Sequence, residues 1–353
     1  MQIALLTMSF PPQTGGVQTY LSQIFRRVAL QHPVTVITLV KPDDPSSEEL
    51  PRLHPRSSTL LGYFRALRHI RPDRIVVGHA HPRLLLPSAL YSGRSYLALA
   101  YGNDYLAAQK RWHRRLFNRL LRNARPLITI THSNARRLEE MGAGKASVIY
   151  PGTDAARFSP ADSRKPTNMV LLTVGRLVPR KGIDTVLEAL SMLRQDFPEI
   201  SYRIAGAGPD ETRLRALVER LELQNIVQFL GKVPDDALPD VYRQADIFVM
   251  PVREEAQGAS IEGFGIVYLE ASASGLPVIA GRSGGAAEAV LDGKTGLVVE
   301  PNAEGVAAAI TTLLNDASLR KRLGAAGRRW VETEMNWDRA ARQMAEALDV
   351  EPE

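Results

Sequence analysis

At 353 residues, with a formal net charge of +6 and no cysteine, the chain has room for two α/β domains and excludes a disulfide framework, a thiolate metal site and a cysteine nucleophile. No run of about 18 or more apolar residues occurs, so no segment reads as a bilayer span. Charge is divided unevenly: residues 1–165 carry 24 Lys/Arg against 10 Asp/Glu and the remainder 20 against 28, so the first half is expected to face an anionic partner.

The start, MQIALLTMSF, lacks a basic leader region and a small-residue cleavage site, and reads as a buried strand over Gln2–Thr7. A loop, Ser9–Gly16, and a helix, Val17–Ala29, follow. Gly15 and Gly16 let backbone approach a ligand closely, and a helix start favours phosphate; a plain strand-to-helix turn has the same pattern. Further strands are expected at Val34–Val40, Arg74–Val77, Tyr96–Ala100, Leu127–Ile130 and Ser147–Ile149, with helical patterns between most of them and loop over Pro51–Ser58. Cations recur at Arg65, Arg68, Arg71 and Arg74, and again in Lys110–Arg125, where Trp112, Leu116, Phe117, Leu120 and Leu121 fall at helical spacing. Such a basic amphipathic helix suits an anionic membrane surface, and equally an ordinary packed helix with a basic outer face. Nucleic acid is not expected, because no nucleic-acid motif accompanies the charge.

Turn and linker chemistry takes over in Tyr150–Lys165, before Pro166. A second strand series then runs through Met169–Val174, Tyr202–Ala205, Ile226–Phe229, Ile247–Met250, Pro277–Ala280 and Gly296–Val299. Strand–helix alternation of this kind predicts parallel sheets covered on both faces, hence two Rossmann-like domains. In such sheets ligands sit beyond the carboxyl ends of the strands, so a site in the cleft between the domains is expected.

Several motifs fall at those strand ends. VGRLVPRKGID places Arg176 and Lys181 beyond Met169–Val174, where two cations neutralise a departing pyrophosphate; surface cations are also common there. Gly206 and Gly208 make half of a dinucleotide fingerprint, but the sixth position is Glu211, which argues against a dehydrogenase. Val233, after the strand ending at Phe229, either frames a nucleobase or belongs to an ordinary connection. The segment AQGASIEGFGIVYLEASASG, Ala256–Gly275, is the most informative. A glycine-rich loop opens a helix there, with Glu262 just before Gly263, Phe264 and Gly265, and Glu270 two turns on. Free N–H groups and the positive dipole end suit a diphosphate, while carboxylates flanking it suit hydroxyls. Gly281–Val290 is a second glycine-rich turn, and Asp292–Gly296 reads as a tight, hairpin-like turn.

Taken in order, GGVQTYL, GRLVPRKGID, AGAGPD, EGFGIVYLEASASG, SGGAAEAV and DGKTGLVV resemble the signature series of family 4 retaining glycosyltransferases, and the fourth is similar to bacterial phosphatidylinositol mannosyltransferases. The resemblance covers nearly the whole chain and is strongest over Met169–Glu300. It implies the GT-B fold, with two Rossmann-like domains whose parallel sheets face a central cleft. Residues 1–165 would bind the acceptor, 166–335 the nucleotide sugar, and 336–353 would form a helix returning to the first domain, anchored by Trp337. On matching positions, Glu262 lies beside the donor sugar and Glu270 binds the ribose. Arg176 and Lys181 hold the donor phosphates. Backbone at Gly263–Gly265, together with Gly208 and Val233, lines the donor, and Gly15 and Gly16 face a phosphate. Where many members carry a histidine that contacts the sugar, this chain has Tyr101, which cannot become a cation near neutral pH.

The implied reaction is metal-independent transfer of a hexose, with GDP-mannose as the leading donor, to an acceptor hydroxyl of a lipid or lipid-linked glycan. No cofactor is implied, and no DxD-type motif is apparent. A UDP-sugar-dependent enzyme with a soluble acceptor and a catalytically silent nucleotide-sugar-binding protein are the alternatives. The absence of cysteine fits a reducing cytoplasm, with peripheral association at the inner membrane face through Lys110–Arg125.

Overall fold

The computed structural model describes the chain except for residues 42–49, 56, 93–95, 103, 105–113, 162–167, 255–261 and 350–353. The described residues divide into two compact units, Met1–Gly152 with Trp337–Glu353, and Thr153–Asn336. The second unit is thus inserted into the first. Its first residues are tied to its last by the Thr153 N–H donating to the Met335 carbonyl (3.0 Å) and by a bridge between Thr153 and Asn336. The partition therefore falls at Gly152, ahead of the linker end read at Lys165. Residues after Gly152 already belong to the second unit: Phe158 is buried there, edge-on to Tyr242.

The first unit is a seven-stranded sheet in the order β3-β2-β1-β4-β5-β6-β7. The strands are β1 (Ile3–Leu6), β2 (Val34–Ile37), β3 (Arg52–Leu53), β4 (Arg74–Val77), β5 (Tyr96–Ala100), β6 (Leu127–Thr129) and β7 (Ser147–Val148), and all pair in parallel. β1 and β5 are buried at every position, as parallel strands covered on both faces must be. The loop expected over Pro51–Ser58 contains β3. Its pairing rests on two backbone bonds, Val36 N–H to the Pro51 carbonyl (2.9 Å) and Thr38 N–H to the Leu53 carbonyl (3.2 Å), and a two-residue edge strand leaves no alternation to read.

The strand order reverses direction between β1 and β4. Right-handed crossovers then place α1 (Gly16–Val28) on one face and α2 (Leu60–Ile70), α3 (Pro82–Ser92), α4 (Arg114–Asn123) and α5 (His132–Glu140) on the other. Tyr63, Leu67, Leu84, Leu85, Phe117, Leu121 and Leu138 from these four helices meet Leu6, Ile75 and Val77 of the sheet in one core. Each fully buried leucine of this kind contributes about 2 kcal/mol. Of the basic stretch Lys110–Arg125, the described part forms α4; residues 110–113 lie outside the described residues.

The C-terminal helix α12 (Trp337–Asp349) packs on α1. Trp337 is buried edge-on to Tyr20, with centroids 6.3 Å apart, and Arg27 pairs with Asp338 at 2.6 Å.

The second unit is a six-stranded parallel sheet, β10-β9-β8-β11-β12-β13. It comprises β8 (Met169–Val174), β9 (Ile200–Ala205), β10 (Val227–Gly231), β11 (Ile247–Met250), β12 (Val278–Gly281) and β13 (Gly296–Val299). Around it lie α6 (Ile183–Leu193), α7 (Glu211–Arg220), α8 (Leu238–Arg243), α9 (Ile266–Ala273), α10 (Ala303–Asn315) and α11 (Ala317–Thr333). Side chains cap the last two: Asn302 accepts from Gly305 N–H and Asp316 from Leu319 N–H, both at 2.8 Å. Because β12 and β13 run parallel, the Asp292–Gly296 turn closes no hairpin. It is a local loop held by Gly293 N–H on the Gly296 carbonyl (2.8 Å). The glycine-rich turn at Gly281–Val290 forms a single 3-10 stretch, Gly284–Glu288.

Candidate active site

In the second sheet the order reverses between β8 and β11, and the crevice outside the carboxyl ends of those strands is where open α/β sheets bind ligands. The chain leaves β8 through Gly175, runs a 3-10 turn over Pro179–Lys181, and enters α6 at Gly182. Glycines let the neighbouring loops touch backbone to backbone. Gly182 has φ +70° and abuts the Pro251 carbonyl after β11, while Gly206, at φ +144°, abuts the Gly175 carbonyl, so a Cβ at either would overlap an oxygen. Gly208 lies the same way against Leu177. Its place is a close packing contact between the loops after β8 and β9.

A second brace is ionic. Asp184, in the first turn of α6, accepts both ends of the Arg253 guanidinium (2.7 and 2.8 Å) and one from Arg213 (2.9 Å), which in turn forks onto Asp210. Burial would raise the Asp184 carboxyl, but Arg253 and Arg213 together hold it below its ordinary value.

Within this frame Lys181 and Glu262 meet. Lys181 is 7% exposed, and its Nζ lies 2.8 Å from Glu262 Oε2, with Arg180 Nε at 3.6 Å from the same oxygen. Burial alone would push the Glu262 carboxyl up; the Lys181 ammonium and then the Arg180 guanidinium more than reverse it, so the group sits below the usual carboxylate range. The Glu262 carbonyl accepts from Gly285 N–H (3.2 Å), which ties the loop before α9 to the turn after β12. Gly265, at φ +87°, starts α9 without a side-chain cap, and a Cβ there would come within 2.6 Å of the Tyr268 ring. Gly265 thus offers no side chain to the first N–H groups of α9. Phe264 is buried at 2% exposure.

Glu270 does not join this cluster. From α9 its Oε2 accepts the Tyr242 hydroxyl at 2.7 Å. Burial pushes its carboxyl up to about 7, against the opposing pull of Tyr242 and Arg157. Arg176 is exposed and enters no ion pair among the described residues, so the cation beside Lys181 on Glu262 is Arg180. Val233 is half-buried after β10. Arg180, Asp184, Arg253 and Tyr242 were not singled out from sequence. The Arg180–Lys181 doublet was a readable signal; the other three matter only through partners distant in the chain.

The first unit has its own switch point, between β1 and β4. Gly15, at φ +153°, precedes α1, whose first residue is Gly16, and no side chain caps that helix. A Cβ on Gly15 would lie 2.7 Å from Gln18 Oε1, and the Gln18 amide bonds Ser9 Oγ. Thr7 Oγ1 meets His79 Nδ1 at 3.1 Å. Burial, then His81, lowers His79 to about 4, leaving it neutral at pH 7.

Tyr101 follows β5. Its N–H donates to Asp104 Oδ1 (3.0 Å), and its carbonyl accepts from the Asn134 amide (2.8 Å). The ring packs edge-on to Tyr20 and His79, and its hydroxyl is buried with no hydrogen-bond partner. Burial raises that phenol well above its ordinary value. Among the described residues no group of three or more His, Asp or Glu side chains is placed to hold a metal ion.

This geometry is matched by known proteins. The family model for glycosyl transferases group 1 matches residues 156–330, and that for Glycosyltransferase Family 4 matches residues 14–157. A GDP-mannose-dependent alpha-(1-6)-phosphatidylinositol monomannoside mannosyltransferase of Mycobacterium tuberculosis is 34% identical, over 98% of this chain and 98% of its own. A GDP-mannose-dependent monoacylated alpha-(1-6)-phosphatidylinositol monomannoside mannosyltransferase of Corynebacterium glutamicum is 31% identical over 99% and 98%. Among solved structures, sucrose-phosphate synthase from Thermosynechococcus elongatus superposes with a TM-score of 0.82 at 23% identity, covering 98% of this chain and 97% of that one. The chain therefore belongs to the family 4 glycosyltransferases: it is an enzyme of that class, and its two parallel-sheet units are those of the GT-B fold.

Proposed function

We propose that this enzyme transfers mannose from GDP-mannose, with retention of configuration, to a hydroxyl of a lipid or lipid-linked acceptor at a membrane face. The first unit would take the acceptor and the second the nucleotide sugar. The observation that carries the reading is the buried Lys181–Glu262 pair at the β8/β11 switch point, in a chain whose relatives of nearly equal length bear that donor in their names.

Cleavage of the bond between the anomeric carbon and the phosphate oxygen sends the electron pair to the departing diphosphate. Lys181, Arg176 and the uncapped start of α9, with backbone at Gly263–Gly265, stabilise that charge. The acceptor oxygen bonds to the anomeric carbon, and its proton passes to the leaving phosphate. Glu262 positions the sugar and Glu270 the ribose. Gly208 and Val233 wall the nucleotide. With Lys181, Arg176 and the start of α9 turned to it, the charge on the diphosphate is met without calling on a metal.

For the membrane part, support comes from α2, α3 and α4, which pack side by side and contain no Asp or Glu. Arg65, Arg68, Arg115 and Arg119 are exposed on them, beside Leu61 and Leu116 at 50% and 49% exposure. Leucines among cations fit the boundary of an anionic bilayer. No described helix is long and apolar enough to cross a membrane.

The test is a hydrolysis and thermal-shift screen with GDP-mannose, UDP-glucose, UDP-N-acetylglucosamine and UDP-galactose. Turnover of GDP-mannose alone is expected; selective use of a UDP-sugar would overturn the donor and favour the soluble-acceptor alternative. Salt-sensitive sedimentation with phosphatidylglycerol vesicles, weakened in Arg114→Ser/Arg115→Ser, is expected. Equal binding to neutral vesicles, or none, would remove the membrane part.

A further inference from the structure

The pair Lys181–Glu262 is not a pair. Three charged groups share the site, because Arg180 also faces Glu262 Oε2, at 3.6 Å, with side-chain exposures of 14% and 12%. That is too long for a hydrogen bond, and the Arg180 Nε–H is buried with no partner. Among the described residues, other nearby carboxylates do not account for Arg180. Asp184 is filled by Arg253 and Arg213, and Asp210 by Arg213. The backbone of Arg180 is anchored, its carbonyl accepting from Arg253 N–H at 2.9 Å, so the side chain starts from a fixed point beside Glu262.

Two cations around one carboxylate, Lys181 buried and Arg180 half-buried, leave an excess of positive charge, and a charge withdrawn from water is costly unless a counter-charge arrives. A diphosphate supplies it. Lys181 cannot hold both the diphosphate and Glu262 at full strength, since its ammonium is one point charge on a flexible stem.

Building on the proposed function, we propose that Arg180 is a positioning residue. When Lys181 turns to the donor diphosphate, Arg180 closes the short remaining distance to Glu262 and keeps that carboxylate ionised and aimed at the sugar. The planar guanidinium is suited to the task, because it offers several donors in one plane and retains its proton. The other group facing Glu262 is Tyr268 from α9, whose hydroxyl is engaged with the Met250 carbonyl at 2.7 Å and so does not compete for the role.

The experiment compares wild type, Lys181→Ala, Arg180→Met and Arg180→Lys in GDP-mannose hydrolysis over pH and in GDP binding by calorimetry. Arg180→Met keeps the apolar stem and should lower kcat about 10–100-fold, the scale lost with a group that orients a functional ligand. Its KM and GDP affinity should stay within about twofold of wild type. The acid limb of its kcat profile should move to higher pH, because Glu262 then protonates more readily, and Arg180→Lys should recover part of the loss. Added to Glu262→Gln, Arg180→Met should cost nothing more, as coupled sites require.

Loss of GDP affinity like that of Lys181→Ala would make Arg180 a phosphate ligand and overturn the proposal; so would an unchanged kcat and acid limb. If wild type does not hydrolyse GDP-mannose, the donor assignment has failed, and Arg180 is then read without a donor. By 13C NMR the Glu262 carboxyl should titrate higher in Arg180→Met than in wild type, and coincident titrations would refute the role.

Discussion

The two switch points of this enzyme are built from opposite materials. In the second unit, the β8/β11 crevice is ionic: a buried Lys181 and a half-buried Arg180 meet the half-buried Glu262, and glycines press the surrounding loops carbonyl to Cα. In the first unit, the β1/β4 crevice is aromatic, with Tyr101 in edge contact with Tyr20 and an uncharged His79, and its described carboxylate, Asp104, is taken up by the backbone N–H groups of Ala80, Tyr101 and Gly102. A buried ionic cluster tolerates little change, because removing one member strands the others. An aromatic cluster can be repacked at lower cost. On the proposed function, the difference sets the chemistry of a charged leaving group in the second unit and leaves the first freer to change with its acceptor.

Substitutions can break that contrast. Lys181→Ala should have the largest effect, lowering kcat/KM about 100–1,000-fold, the scale of one lost charge-stabilising donor, while the thermal unfolding midpoint moves far less; turnover at the wild-type rate would remove Lys181 from the phosphate role. Gly206→Ala should cost about 2–4 kcal/mol of stability in denaturant titration, since its Cβ meets the Gly175 carbonyl at a φ that suits only glycine. An unchanged midpoint would show that the loops are not locked.

Next comes Glu270. Its folded pKa of about 7 lies above the ordinary value of 4.5, so between those values the folded chain holds a proton that the unfolded chain releases. The stability from that proton is complete below pH 4.5 and fades as pH rises through 7. Glu270→Gln should flatten this decline in melts across that window, and a parallel decline would place the titration elsewhere. Smallest is Tyr101→Phe. Its hydroxyl is buried without a partner, so removing it should raise stability by up to about 1 kcal/mol. An accompanying fall in donor affinity would show that the ligand is the missing partner.

What could be read from sequence follows the reach of each interaction. Met169–Val174 and Arg74–Val77 coincide with β8 and β4, because apolar runs bounded by turns report local burial. β3 escaped because it exists only through its bonds to β2. At the site, Lys181 and Glu262 stood out by motif, yet that they form one ion pair depends on β8 and β11 being neighbours in the sheet. Tyr242 reaches Glu270 only once α8 and α9 are placed, and Arg253 reaches Asp184 only across the same switch point. Arg176 shows the converse. It stands exposed at the same strand exit where Lys181 is buried, and pattern alone does not say which side of an exit is covered.

The return of α12 to α1 has a consequence for how the chain is made. Tyr20 is covered by Trp337, and Arg74 donates to the Leu348 carbonyl at 3.1 Å, so the earliest part of the chain is completed by nearly the last. During synthesis the whole second unit must emerge before the first can cover that surface. A nascent chain stalled anywhere within the insertion therefore displays an unfinished apolar face, a distinct target for chaperones and proteases.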